Sequence, residues 1–156
     1  MEKEVFDWIN DNLPKGSVII ELGSGEGTKL LCKDYIVFSI EHDPKFLGRN
    51  GSHYIEAPLR QYAGKSFTWY DKECLEGELP FNYDLILVDG PKHEHKMGFY
   101  YNLELFDLSV PILINDTHRD LEEDLCRNVF ADLNWPEIPN TDLHKIHKFK
   151  TFSVIK

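Results

Sequence analysis

The sequence of 156 residues predicts an α/β fold in three layers, with a mostly parallel sheet between helices and an antiparallel hairpin at its C-terminal end. Three observations predict it. Short β-branched runs without polar alternation recur along the chain, as in strands buried on both faces. Helical patterns separate these runs. The last fifteen residues then read as two strands, LHKIHKF and TFSVIK, with no helix between them.

The elements follow in order. Val5, Trp8 and Ile9 fall at helical spacing within residues 3–12, and Pro14 and Gly16 end that helix. SVIIEL (17–22) is a buried strand, and Thr28 is placed to cap a short helix through Lys33. YIVFSIE (35–41) is a second strand; Asp43 and Pro44 open a short helix after it. SHYIEA (52–57) is a third strand, stopped by Pro58. FTWYD (67–71) fits a strand or a packed loop, followed by one helical turn at Lys72 to Leu75. YDLILVD (83–89) is the clearest central strand. Residues 96–108 read as a helix with Phe99, Leu103 and Phe106 on one face. VPILIND (110–116) is again a strand. Residues 120–133 form a helix with Leu121, Leu125, Val129 and Leu133 four apart.

Length and composition fit one domain spanning residues 1–156. No apolar run approaches a membrane span of about 20 residues. The acidic, amphipathic start MEKEVFDWIN is unlike a secretory signal. Cys32, Cys74 and Cys126 are widely spaced and odd in number, the pattern of reduced thiols in a cytoplasmic protein. A net charge of −10 opposes a duplex nucleic-acid partner. The end of the chain is locally basic, with Lys145, Lys148, Lys150 and Lys156, which suits either an anion contact or solvated lysines on an edge hairpin. Nothing in the sequence fixes the oligomeric state.

In open parallel sheets ligands bind beyond the carboxyl ends of the strands. The turn after the first strand reads ELGSGEG (21–27), with Gly23, Gly25 and Gly27 at alternate positions. Bare backbone there allows a tight turn and close approach of a ligand. The dinucleotide fingerprint is GxGxxG, and this spacing differs from it. Glu21 would repel a pyrophosphate, whereas it suits a cofactor carrying an amine or a sulfonium. Glu41, eighteen residues after Gly23, ends the second strand, where an acid accepts both ribose hydroxyls. Asp43 is a competing acid, better explained as the cap before Pro44.

ELGSGEG resembles motif I, [DE]xGxGxG, of the class I S-adenosylmethionine-dependent methyltransferases. WYD (69–71), DLILVDGP (84–91) and INDTHRDLE (114–122) extend the resemblance to a small, single-domain methyltransferase-like subgroup. The resemblance implies a Rossmann-like fold with S-adenosylmethionine as its cofactor. It implies that Glu21 faces the methionine amino group, directly or through water, and that the loop of Gly23, Ser24, Gly25 and Gly27 lines the cofactor. It places Glu41 at the ribose, and the backbone of Ala57 and Leu59 at the adenine. Trp69 and Tyr70 either cover the adenine or pack in the core.

Methyl transfer asks a protein to position an acceptor and accommodate its proton. Asp89, ending a strand beside the cofactor, is the first candidate; it would otherwise be a structural acid bonded to backbone amides. Its DGP departs from the [DN]PP[YF] of amino methyltransferases, because Lys92 stands at the second proline. Asp116 is a second candidate. With Asn115 and Asp89 it imitates, in reversed order, the Mg²⁺ set of some oxygen methyltransferases, although capping the next helix is favoured over a metal. His93 or His95 suits a general base. Zinc on these histidines with His118 is disfavoured, since no cysteine is near. Arg119 either grips an acceptor carboxylate or phosphate, or pairs with Glu122 or Glu123. The expected reaction is therefore methyl transfer to a small-molecule acceptor. Binding of the cofactor or a nucleoside without catalysis is the alternative, and NAD-dependent oxidation is disfavoured by the glycine spacing.

Overall fold

The computed structural model describes residues 1–134 and 144–156. Its main sheet has seven strands: β1 (Val18–Leu22), β2 (Ile36–Glu41), β3 (His53–Glu56), β6 (Leu85–Val88), β7 (Ile112–Asn115), β8 (Ile146–Lys148) and β9 (Phe152–Ile155). The spatial order is β3-β2-β1-β6-β7-β9-β8. The pairings from β3 through β7 are parallel, and β9 runs antiparallel to both β7 and β8. Two shorter strands, β4 (Leu59–Gln61) and β5 (Thr68–Tyr70), form a separate antiparallel pair. The helices are α1 (Lys3–Asn12), α2 (Glu26–Leu31) and α3 (Asp120–Leu133). Among the described residues no helix is long and apolar enough to cross a membrane.

Parity explains the unbroken apolar runs. Successive side chains of a strand point to opposite faces. Ile19, Leu85, Leu87 and Leu113 pack on one face with Val5, Trp8 and Ile9 of α1. Ile20, Leu22, Ile86 and Val88 pack on the other with Leu125 and Val129 of α3. With both faces covered, no polar alternation survives.

Several local expectations change. The helix after β1 starts at Glu26, before Thr28, and Thr28 caps from inside it: its Oγ1 accepts the Gly25 N–H at 2.9 Å. Pro44 opens a turn and no helix, because Asp43 accepts the Lys45 N–H on its side chain and the Phe46 N–H on its carbonyl, both at 2.9 Å. Residues 96–108 are not α-helical. Two 3₁₀ segments, His93–Gly98 and Tyr100–Leu105, replace the expected helix, broken by Asn102 at φ −135°. Asn102 Nδ2 donates to the Gly98 carbonyl at 2.7 Å, which holds the kink. In α3 the buried stripe is Glu122, Leu125, Cys126 and Val129, and Leu121 is exposed. Of the C-terminal strands, Leu143 lies outside the described residues.

Gly98 lies against the buried Trp69 ring; a Cβ there would stand 2.4 Å from its Cδ2 and Cε3. Gly98→Ala is expected to destabilise the fold by about 1–3 kcal/mol through overpacking, read as a lower urea midpoint at unchanged m. An unchanged midpoint would show that the ring shifts freely.

Candidate functional site

The chain leaves β1 toward β2 and leaves β6 toward β7, so the two neighbouring strands diverge at their carboxyl ends. Such a switch point opens a crevice. Gly23 follows β1 with φ +83°, and Gly90 follows β6. Their α-carbons meet face to face. A Cβ on Gly23 would stand 2.9 Å from Gly90 Cα, and one on Gly90 2.8 Å from Gly23 Cα. Only bare backbone closes this floor.

Above it opens a cleft of about 650 Å³, a size ordinary for a small-molecule site. Gly23 and Gly90 line it with Ser24, Glu41, His42, Asp43, Phe46, Leu59, Tyr70, Asp89, Pro91, Lys92, His93, His95, Lys96, Asp116 and Arg119. The Tyr70 hydroxyl is fully buried over the Gly90 floor. It lies beside the Gly23 amide, which already donates to the Ile40 carbonyl, and finds no partner among the described residues. Burial, with the charges of Glu41, Glu21 and Asp89, pushes its phenol well above the ordinary range, so it is a neutral donor. An orphaned buried hydroxyl costs about 1–3 kcal/mol.

Glu41 is buried, and its carboxylate accepts four hydrogen bonds. Ser24 N and Oγ donate to Oε2 at 2.8 and 3.0 Å, and His42 N and Asp43 N donate to Oε1 at 2.7 and 2.8 Å. The three amides fix the carboxylate, and the Ser24 hydroxyl is the one donor free to rotate away.

Glu21 does not line the cleft. It lies on the sheet face under α2, where Thr28 Oγ1 donates to it at 2.8 Å. Ser39 Oγ stands 2.7 Å from its Oε2 and 2.7 Å from Ser52 Oγ, which donates to the Val37 carbonyl at 2.9 Å. Ser39 Oγ, like Thr28 Oγ1, donates to this carboxyl. Burial pushes this carboxyl up to about 8, against the opposing hydrogen bonds of Ser39 and Thr28. Glu21 thus supports the glycine loop from below, through Thr28 and the Gly25 amide. Gly25 and Gly27 also lie off the cleft; Met1 covers Gly27, where a Cβ would stand 2.5 Å from Met1 Cβ. Ala57 is fully buried, with its N–H donating to the Glu41 carbonyl at 2.9 Å, and does not reach the cleft either.

Asp89, Asp116 and His93 all line the cleft. Asp89 Oδ1 accepts from Asn115 Nδ2 at 2.9 Å, a side-chain contact in place of the backbone amides considered above. Asp116 sits at φ +66° and His93 at φ +56°, strained backbone for both residues. Asp116 Oδ2 takes Lys96 Nζ at 3.1 Å and Arg119 Nη1 at 3.2 Å. Buried Glu122 stands behind, 3.6 Å from Lys96 and 3.9 Å from Arg119. His95 Nδ1 accepts the Thr68 N–H at 3.0 Å, which leaves the neutral ring's proton on Nε2.

These contacts do not fit Mg²⁺ on Asp89, Asn115 and Asp116. Asn115 presents its amide donors to Asp89, and two cations already hold Asp116. Among the described residues no three His, Cys, Asp or Glu side chains gather as metal ligands. Sequence reasoning missed His42, Phe46 and Lys96, and Lys96 carried no signal; Tyr70, considered for the adenine through the WYD motif, lines the cleft.

The chain matches no family model and no curated protein. Its architecture is of Rossmann type, a largely parallel sheet flanked by helices and compatible with binding a nucleotide or cofactor at the switch point.

Glu21 makes a pH prediction. Its ordinary value is 4.5 and its folded value about 8, so between them the folded chain holds a proton that the unfolded chain releases. Stability is fully present below pH 4.5 and declines as pH rises toward about 8, by at most about 5 kcal/mol from this group. Glu21→Gln should flatten that decline in thermal melts across the window. Parallel curves for the two proteins would show that Glu21 is ionised in the fold.

Proposed function

We propose that this chain is a methyltransferase that uses S-adenosylmethionine and acts on a small-molecule acceptor. One observation carries the reading: the ELGSGEG turn lies at the switch point, with Glu41 lining the same cleft. Two further features fit such a cofactor. The Gly23–Gly90 floor is bare where any side chain would fill it, and the Tyr70 hydroxyl lacks among the described residues a partner that a ligand would supply.

The bound cofactor supplies a methyl group on a sulfonium, open to in-line displacement. Glu41 would hold the ribose hydroxyls, with the Ser24 hydroxyl rotated away from Oε2. The backbone of Gly23 and Ser24 supports the cofactor from below, and Tyr70 Oη donates into the cleft. Asp89 orients the acceptor and takes its proton; Asn115 Nδ2 holds its Oδ1, and the buried N-terminal ammonium of Met1 lies 3.8 Å from its Oδ2. His93 stands at the rim as a second base. A single domain over residues 1–156 and a cytoplasmic setting, where Cys32, Cys74 and Cys126 remain free thiols, belong to the same proposal.

Binding without transfer is the second reading. What favours it is that Asp116 is committed to two cations and His95 to Thr68, which leaves few groups poised as a base. Release of S-adenosylhomocysteine across an acceptor panel separates the two readings.

Calorimetry with S-adenosylhomocysteine tests the cofactor. Saturable binding is expected, weakened about 10- to 100-fold in Glu41→Ala by loss of charge-assisted hydrogen bonds, with the fold of the variant checked by melting. Absence of binding, or preference for NAD, would overturn the proposal.

A further inference from the structure

The cleft is charged differently at its two ends. Glu41 and Asp43 follow β2, whereas Lys96 and Arg119 gather around Asp116 at the end of β7. Three strand spacings separate β2 from β7, about 14 Å along the crevice. Lys92, which follows β6, lines the same cleft. In a chain of net charge −10, these cations collect where the cofactor reading leaves room for an acceptor.

Asp116 and Glu122 neutralise two of the three cations. What remains is the charge of Lys92, which makes no ion pair among the described residues, and the unused donors of Arg119. That guanidinium is half exposed, and its contacts to Asp116 and Glu122 all run through Nη1. Nε and Nη2 are therefore available in the fork geometry that grips an oxyanion. Lys96 is almost wholly buried and keeps Asp116 in place, so Asp116 does not have to draw on the rest of the guanidinium.

We infer that this end of the cleft is an oxyanion subsite, held by Arg119 and Lys92, and that the acceptor carries a carboxylate or a phosphate there. The inference rests on the cofactor occupying the Glu41 end. His95, with its proton on Nε2, adds a neutral donor at the wall and does not repel the anion.

The test titrates the full chain with inorganic phosphate and, separately, with succinate, following amide shifts by NMR with and without S-adenosylhomocysteine. Saturable shifts around residues 92–96 and 116–119 are expected with at least one probe, and the tighter probe names the group. Arg119→Ala should weaken the binding about tenfold or more, and Lys92→Ala several-fold. Lys92 is exposed, so its variant answers the question even if Arg119→Ala folds poorly. No saturable shift with either probe, or the same affinity in both variants, overturns the subsite. S-adenosylhomocysteine binding without anion binding sinks this inference alone. Anion binding lost in the variants, without S-adenosylhomocysteine binding, keeps the subsite and sinks the methyltransferase reading.

Discussion

Two α-carbons in contact set the geometry of this protein. Gly23 and Gly90 close the gap where β1 and β6 diverge, and neither tolerates a side chain because the other's backbone stands within 3 Å of the place a Cβ would take. Their contact puts the loop after β1 and the loop after β6 on one floor. It brings Ser24 and Glu41 to one side and Asp89 to the other. Tyr70, from the small antiparallel pair, reaches the same floor with a hydroxyl that has no partner among the described residues. The cleft follows from a steric fact about two residues, and the charged groups are arranged around it.

Burial then decides what each acid does. Glu21 is buried under the loop without an ion-pair partner among the described residues, so desolvation raises its pKa although Thr28 and Ser39 donate to it. Glu41, equally buried, is surrounded by amides and serves as an acceptor. Asp116 is paired with Lys96 and Arg119 on strained backbone. Three carboxyls in one region thus play three roles because their immediate surroundings differ.

The sheet was legible because both faces of β1, β2, β6 and β7 are covered, which leaves apolar runs bounded by turn residues. The glycine turn and the acid eighteen residues on were legible for the same reason: they sit at strand ends. The direction of Glu21 was not. On a strand buried on both faces polarity gives no cue to orientation, and parity with Ile19 turns Glu21 away from the cleft. The segment after Pro91 misled because its period suits a helix, while the close contact of Gly98 with Trp69 and the Asn102 kink impose 3₁₀ turns. Leu121 fits the apolar stripe of α3, yet the helix turns Glu122 inward toward Lys96 and leaves Leu121 in solvent. Each miss is a tertiary contact that overrides a local pattern.

The central claim is that the Gly23–Gly90 floor is where a nucleoside-bearing cofactor lies. A crystal structure of the chain with S-adenosylhomocysteine tests it most directly. The account predicts the ligand across Gly23 and Gly90, its ribose at Glu41 and a polar atom at Tyr70 Oη. A ligand bound elsewhere, or one lying across that floor with Tyr70 Oη still unpartnered and the Ser24 hydroxyl still on Glu41, would contradict it.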